Sequence, residues 1–339
     1  MSETGVGGLT LGGGLGWLRR ALGLSSDQVV AMEVVTADGV TRRVDADRHP
    51  DLFRALRGGG GGIAVVTAFE FALHPMGPEV MFALTMYPAT HGSDVLRAYR
   101  KVAAGVPDEV TTSVLLGVVP PMPPYPDSSW GQRFVAIAGM YAGAPDLGAE
   151  VLAPLATLGD VNPIIDLTGR QPYAEVQRLF DANYPEGGHY YWTSRFLDGL
   201  PDEVIDAALT HAEAAPSPLF VVAFWQLGGK IDLADADASA YAHRGAAFLL
   251  GVEANFASSD PDPVERRANV KWARRCVAEI AQSSRTDSYM NLPGSVEDIR
   301  EAYDPEDAVE QVRRRYDPDG LLTVLRGSGR SGSMPGPAR

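Results

Sequence analysis

Two stretches of this 339-residue sequence have the residue types to do chemistry. The first is Gly5-Val6-Gly7-Gly8-Leu9-Thr10-Leu11-Gly12-Gly13-Gly14-Leu15-Gly16, where seven of twelve residues are glycine. Glycine gives up the most backbone entropy on ordering. A run this dense therefore marks a backbone that must turn tightly, take positive φ or come close to something bulky. Packed glycines with free N–H groups suit a phosphate or pyrophosphate. A flexible linker would be rich in serine and other polar residues. Here Val6, Leu9, Leu11 and Leu15 sit between the glycines and Trp17-Leu18 follows, which points to a loop pressed into a core. The second stretch is Tyr289-Met290-Asn291. In a short strand or extended segment, alternation puts Tyr289 and Asn291 on one face. They would set a proton-accepting phenol beside an amide that orients a ligand, although a buried tyrosine is more often a packing residue.

Other chemistries lack their residues. Glu33 follows the glycines at the distance of a ribose-binding acid, but no strand precedes the run, the glycine spacing is not G-x-G-x-x-G and no parallel βαβ unit follows. The Gly-Lys-Ser/Thr of a P-loop and the G-x-S-x-G of a nucleophile elbow are both absent. The six histidines have neither H-x-x-H nor H-E-x-x-H spacing, and no metal site is expected. Of these, His243-Arg244 is the one to watch, with a surface or capping pair as the plain reading. The single cysteine, Cys276, reads as an inert core thiol near Trp272 and Val277.

Composition narrows the partners. Forty-three acidic against 29 basic residues give a net charge of −14, which argues against nucleic acid and anionic membrane surfaces. Hydrophobic residues make up 45%, enough for a sizeable core in one large or two ordinary domains. No apolar run has the roughly 18 residues a membrane span needs, and the N-terminus lacks the pattern of a secretory signal. The expectation is a soluble, cytoplasmic protein with a small-molecule substrate; oligomeric state is not legible.

The elements that must position these stretches follow from periodicity. A short helix is expected over Leu18–Leu22, stopped by Gly23. Gln28–Thr36 and Val40–Val44 read as a hairpin around Ala37-Asp38-Gly39. Pro50 opens a helix with Leu52, Phe53 and Leu56 on one side. A second glycine run, Gly58 to Gly62, leads into an apolar strand over Ile63–Leu73. A boundary is expected near His74–Pro78. Beyond it strands at 80–87, 110–119, 133–141, 219–227 and 246–255 alternate with helices at 93–104, 147–158, 173–181, 201–214 and 264–282. The last helix is expected to start at Asp304-Pro305-Glu306, and residues 327–339 read as a disordered tail. The class is α+β: an antiparallel sheet backed by helices over 78–290.

These residues in this order resemble the berberine bridge enzyme-like FAD-linked oxidases, within the vanillyl-alcohol-oxidase or PCMH-type flavoproteins. The resemblance runs through Gly5–Leu18, Gly23-Leu24, Asp27, Val35–Gly39, Pro50–Gly61 and Val65–Phe71. It continues at Gly228-Gly229, His243-Arg244, Tyr289-Met290-Asn291 and Arg315–Asp319. It implies the second subdomain of a PCMH-type FAD-binding domain over 1–76, a substrate domain over 77–290 whose antiparallel sheet roofs the flavin, and a segment over 291–326 that returns to the FAD domain. It implies that Gly5, Val6, Gly7, Gly8, Leu9, Gly12, Gly13, Gly14 and Gly16 line FAD. Gly61 and Val66 would support the adenine and ribityl side, with Asn291 near the flavin and Tyr289 as the base facing the substrate. The implied reaction is hydride transfer from an alcohol or similar C–H donor to flavin N5, with oxygen as the usual acceptor.

The family also carries a first FAD subdomain ahead of the glycine run, with a flavin-linking histidine. The sequence here begins at Met1, so by resemblance that subdomain is absent. Met1 stands where bicovalent members have a cysteine. Gly62-Ile63-Ala64 replaces the usual Asn-Phe-Gly, and Gly320 replaces an Asn. The alternative expectation is therefore a truncated, FAD-deficient remnant that keeps the substrate-domain fold.

Overall fold

Residues 2, 4–256, 262–282, 284–285, 287–292, 294 and 307–322 are described in the computed structural model. The expected start of the last helix at Asp304-Pro305-Glu306 and the tail at 327–339 lie outside them, as does Met1.

The first element corrects an expectation. Val6–Leu11 forms a short helix, α1, where the glycine density suggested a loop. Gly7 and Gly8 cost helix stability, and tertiary packing offsets that: Thr10 is buried and Leu11 joins the core of the adjoining sheet. Helix α2 (Arg19–Leu22) follows and ends at Gly23, whose φ of 91° needs glycine.

A three-stranded antiparallel sheet comes next, with β1 (Val29–Val35) between β2 (Thr41–Asp45) and β3 (Val65–Phe71). In the β1–β2 turn the Asp38 carboxylate accepts from Val40 N (3.1 Å) and Thr36 Oγ1 (2.6 Å). Helix α3 (Pro50–Leu56) lays Leu52, Phe53 and Leu56 against Val34 and Val44.

The larger sheet holds eight antiparallel strands among the described residues. They are β4 (Glu79–Pro88), β5 (Val110–Val118), β6 (Arg133–Tyr141), β7 (Ile165–Asp166), β8 (Gly169–Pro172), β9 (His189–Leu197), β10 (Val221–Gln226) and β11 (Phe248–Phe256). Their order is β7-β4-β6-β5-β10-β11-β9, with β8 also paired to β4. Strand β9 was not expected from periodicity. Its run of aromatics and Thr193 is strand-like, but glycines and prolines around it blur the boundaries.

Helices α4 (Gly92–Ala103), α5 (Pro145–Leu152), α6 (Tyr173–Arg178), α7 (Asp202–Glu213), α8 (Lys230–Leu233), α9 (Pro263–Ile280) and α10 (Asp307–Tyr316) complete the chain. Helix α5 ends at Leu152, short of its expected bound at Leu158, with a single 3-10 turn after it. Helices α4, α5, α7 and α9 cover one face of the large sheet. Alternation sends Val222, Phe224, Leu250, Val252 and Leu197 into that layer. The opposite face turns Trp225, Leu249 and Phe196 toward the glycine-rich segment and Tyr289. Helix α10 packs Val309 and Tyr316 onto the small sheet's core. No helix among the described residues is long and apolar enough to cross a membrane.

Buried arginines tie helix α2 and the turn before β1 to the large sheet and the loop before β11. Arg19 donates to Gln226 O (2.7 Å), Thr112 O (2.6 Å) and Ser113 Oγ (3.1 Å), so its guanidinium closes the ends of β10 and β5 together. Arg20 adds Val110 O (2.8 Å) and Leu227 O (2.5 Å). Arg244 reaches across to Asp27 at 2.6 Å, with both side chains about nine-tenths buried.

Candidate active site

The segment 289–292 is a turn where a short strand or extended segment was expected: Leu292 N donates to Tyr289 O at 2.8 Å. Strand β9 holds it. Ser194 Oγ accepts from Tyr289 N (3.0 Å) and donates to Leu292 O (2.9 Å), while Phe196 meets the Tyr289 ring edge-on at 6.3 Å. Tyr289 and Asn291 come together through this turn, as alternation along a strand would also have required.

Three N–H groups converge on the Tyr289 hydroxyl oxygen: Gly14 N (3.1 Å), Leu15 N (3.2 Å) and Asn291 Nδ2 (2.8 Å). Asn291 Nδ2 also donates to Leu9 O at 3.0 Å. A carbonyl can only accept, so this contact settles which end of the amide is the nitrogen. A phenol oxygen has two lone pairs, whereas a phenolate can take all three donors. Burial pushes the Tyr289 phenol above its usual range; the bonds from Asn291, Leu15 and Gly14 pull the other way.

The glycines of the run fall into two groups. A Cβ on Gly12 would overlap the Asn291 amide, one on Gly13 the Tyr241 ring at 2.8 Å, and one on Gly14 the Ser25 side chain at 2.6 Å. Gly13 and Gly14 also take φ of 104° and 88°. These three let the chain close on itself around Tyr289. Gly5, Gly8 and Gly16 instead face open space and are exposed. At the start of α1 no side chain caps the helix, and the N–H groups of Val6, Gly7 and Gly8 lack intrahelical acceptors. Leu9 contributes its carbonyl to Asn291. In the second run, Gly58 and Gly59 are packed against Tyr241, Ala240 and Ala55 O, and Gly60 N donates to Leu11 O at 2.9 Å. Gly61 lies half-buried in the bend before β3, and Val66 pairs with Val34.

The sheet face beside Tyr289 carries Trp225, Gly251, Glu253 and Trp192. Periodicity had not singled out Glu253; the signal was a lone carboxylate in the apolar strand Phe248–Phe256. It is 7% exposed. Tyr184 Oη donates to its Oε2 at 2.6 Å and Asn255 Nδ2 lies 3.3 Å from the same atom. Burial pushes its carboxyl up to about 7. His243 stacks flat on Phe196 at 4.1 Å, and burial pulls its imidazole down to about 4 against the opposing charge of Asp287. No cluster of metal-ligating residues occurs among the described residues.

The residues present fit a flavin dinucleotide: uncapped amides for a pyrophosphate, open glycines for close approach, and a buried phenol with a donor set beneath a sheet. Residues 1–45 match the FAD binding domain family. An FAD-linked oxidoreductase of Dictyostelium discoideum is 28% identical over 276 residues, covering 80% of this chain and 56% of the relative. The chain thus spans little more than half of that relative's length. The Physcomitrella patens BBE-like 1 structure superposes with a TM-score of 0.77 at 17% identity, over 94% of this chain and 68% of that one. Acremonium strictum glucooligosaccharide oxidase superposes with a TM-score of 0.77 at 23% identity, over 94% and 69%. This chain thus carries a match to the FAD binding domain at its start, is similar in sequence to FAD-linked oxidoreductases, and shares the fold of the BBE-like and glucooligosaccharide oxidase structures.

Proposed function

We propose that this chain serves an FAD-dependent oxidation of a hydroxyl-bearing small molecule, with Tyr289 as the base. The observation that carries the reading is the convergence of three N–H donors on Tyr289 Oη, next to glycines that leave open space. Bound FAD would supply the hydride acceptor at N5 and pass the electrons to dioxygen. Val6, Gly7 and Gly8 would hold the cofactor through their amides, and Gly5 and Gly16 would let it approach.

The chain's own residues handle the proton and the orientation. Oxidation of C–OH to C=O releases a hydride from carbon and a proton from oxygen. Tyr289 Oη takes that proton, and Gly14, Leu15 and Asn291 stabilise the oxygen while it is unprotonated. The sheet face beside Tyr289 presents the apolar rings of Trp225 and Trp192. A net charge of −14 suits a neutral or cationic small substrate better than a nucleic acid. An oligosaccharide alcohol is the first class to try, because a solved structure of similar fold is a glucooligosaccharide oxidase.

The test is the colour and the turnover of the purified chain incubated with FAD. A flavin absorption band retained after desalting, with stoichiometric cofactor, is the expected result. A colourless chain that gains no flavin overturns the reading in favour of a remnant without cofactor.

A further inference from the structure

Glu253 has no role in the oxidation described above, yet it is a buried carboxyl on the same sheet face as Tyr289. Alternation along β11 puts Leu249, Gly251 and Glu253 on that face, opposite the helix layer that takes Leu250, Val252 and Ala254. Gly251 pairs with Ser194, the residue that holds the Tyr289 turn, and Glu253 pairs with Trp192. Glu253 therefore lies one sheet row, roughly 7 Å, beyond the row that carries Tyr289. Between them Gly251 presents no side chain. A Cβ there would touch only Ala223 at 3.9 Å and Leu292 at 4.0 Å.

The two carboxylate oxygens are not equivalent. Oε2 accepts from both Tyr184 Oη and Asn255 Nδ2. Asn255 is in turn held by Trp192 Nε1 at 2.8 Å and by Leu219 O at 3.1 Å. Tyr184, Tyr190 and Trp192 form a ring cluster at this end, with centroids 5.3 to 5.9 Å apart. Oε1 accepts from none of the described residues, and it is not among the fully buried unpartnered atoms. The carboxylate is thus held through Oε2, and Oε1 keeps its acceptor capacity on the sheet face it shares with Gly251. A carboxylate oxygen without a protein donor can take one from a bound molecule.

We propose that Glu253 anchors the substrate, its Oε1 accepting a hydrogen bond from a substrate hydroxyl one sheet row away from the carbon that is oxidised. The assignment rests on the oxidoreductase reading only for where the reacting carbon sits. Glu253 is a binding residue, distinct from Tyr289, and the aromatic cluster beside it gives a hydroxylated ring a surface to stack on.

The test uses the full chain incubated with FAD, with cellobiose and tyramine as probes and tryptophan fluorescence as the binding signal. Cellobiose quenches the native chain, and Glu253→Gln weakens its binding by roughly tenfold, the scale of a lost hydrogen bond. In turnover, Glu253→Gln raises KM for cellobiose and leaves kcat within about twofold, because an anchor away from the reacting carbon contributes uniform binding. The flavin band and melting temperature of the variant serve as fold controls, and Tyr184→Phe, which frees only Oε2, weakens binding less. Unchanged cellobiose affinity in Glu253→Gln overturns the assignment. So does tyramine binding without cellobiose binding, which would make Glu253 an ammonium site, and so does failure of the native chain to bind either. Loss of flavin with the Glu253 dependence of cellobiose binding intact overturns the oxidoreductase reading instead.

Discussion

Asn291 Nδ2 lies 2.8 Å from Tyr289 Oη and 3.0 Å from Leu9 O, so one amide group ties the phenol to the carbonyl of the glycine-rich helix. The two residues are neighbours in a turn, while the backbone they grip is more than 270 residues away in sequence. That arrangement gives the phenol its donors and makes the glycine run part of the same unit.

Tyr289→Phe removes the shared acceptor of the Gly14 and Leu15 amides. It is expected to cost about 1–3 kcal/mol of stability, the scale of buried donors left unpaired, and to lower turnover by roughly 10²- to 10⁴-fold. Burial raises the phenol's pKa, so the native kcat/KM is expected to climb with pH into the alkaline range. A flat profile in the native chain, or turnover unchanged by Tyr289→Phe, removes Tyr289 from the base role.

The two groups of glycines predict opposite responses to alanine. Gly12→Ala drives a methyl into the Asn291 amide, which two hydrogen bonds hold in place, and is expected to lower the melting temperature. Gly8→Ala meets nothing within 4 Å. It is expected to stabilise α1 by up to about 1 kcal/mol through helix propensity while weakening flavin retention. Equal melting temperatures for the two variants would show that the close approach of Gly12 to Asn291 is unimportant.

Arg19 is expected to be irreplaceable by lysine. Its planar fork serves Gln226 O, Thr112 O and Ser113 Oγ at once, and an ammonium cannot match that geometry. Arg19→Lys and Arg19→Ala should both destabilise by about 3 kcal/mol or more, since several buried acceptors lose their partner. Urea denaturation measures this, and a loss below about 1 kcal/mol for Arg19→Ala would sink the idea.

Glu253 and His243 give opposed pH dependences of stability. The folded state keeps the Glu253 proton up to about 7, where an unfolded glutamate releases it near 4.5. Folded protein then binds more protons, and stability falls as pH rises through that window. His243 is neutral down to about 4 when folded and titrates near 6.5 when unfolded. Unfolded protein binds more protons there, and stability rises as pH goes from about 4 to 6.5. Each contributes at most about 1.4 kcal/mol per pH unit. Glu253→Gln should therefore make stability climb more steeply between pH 4.5 and 6.5, and His243→Phe should make it fall; parallel curves for the two variants refute the assignment.

Cys276 is fully buried, and burial pushes its thiol well above the usual range. It is expected to resist a thiol reagent in the folded chain and to react on denaturation. Rapid labelling under native conditions would contradict its place in the core.

Much of the architecture was legible in the residues. Alternation along β10 and β11, the proline at the start of α3, the Asp38-Gly39 turn and the helical period of α9 all act over a few residues, and local physics decides them. The strand β9 was not legible, because its aromatics lie among turn-forming residues and gain their stability from pairing with β11. Nor was the helix at Val6–Leu11, where glycine's local preference lost to burial of Thr10 and packing of Leu11.

What the sequence by itself determined is the inventory: a glycine run that must serve close approach, and a tyrosine and an asparagine two residues apart. Only the tertiary structure decided which glycines close on Asn291 and which face open space, which three N–H groups meet Tyr289, and which oxygen of Glu253 is left over. These are contacts between segments up to 282 residues apart. A residue's type and period report the face it takes on its own element, whereas its partner depends on how distant elements are brought together, which no local pattern encodes.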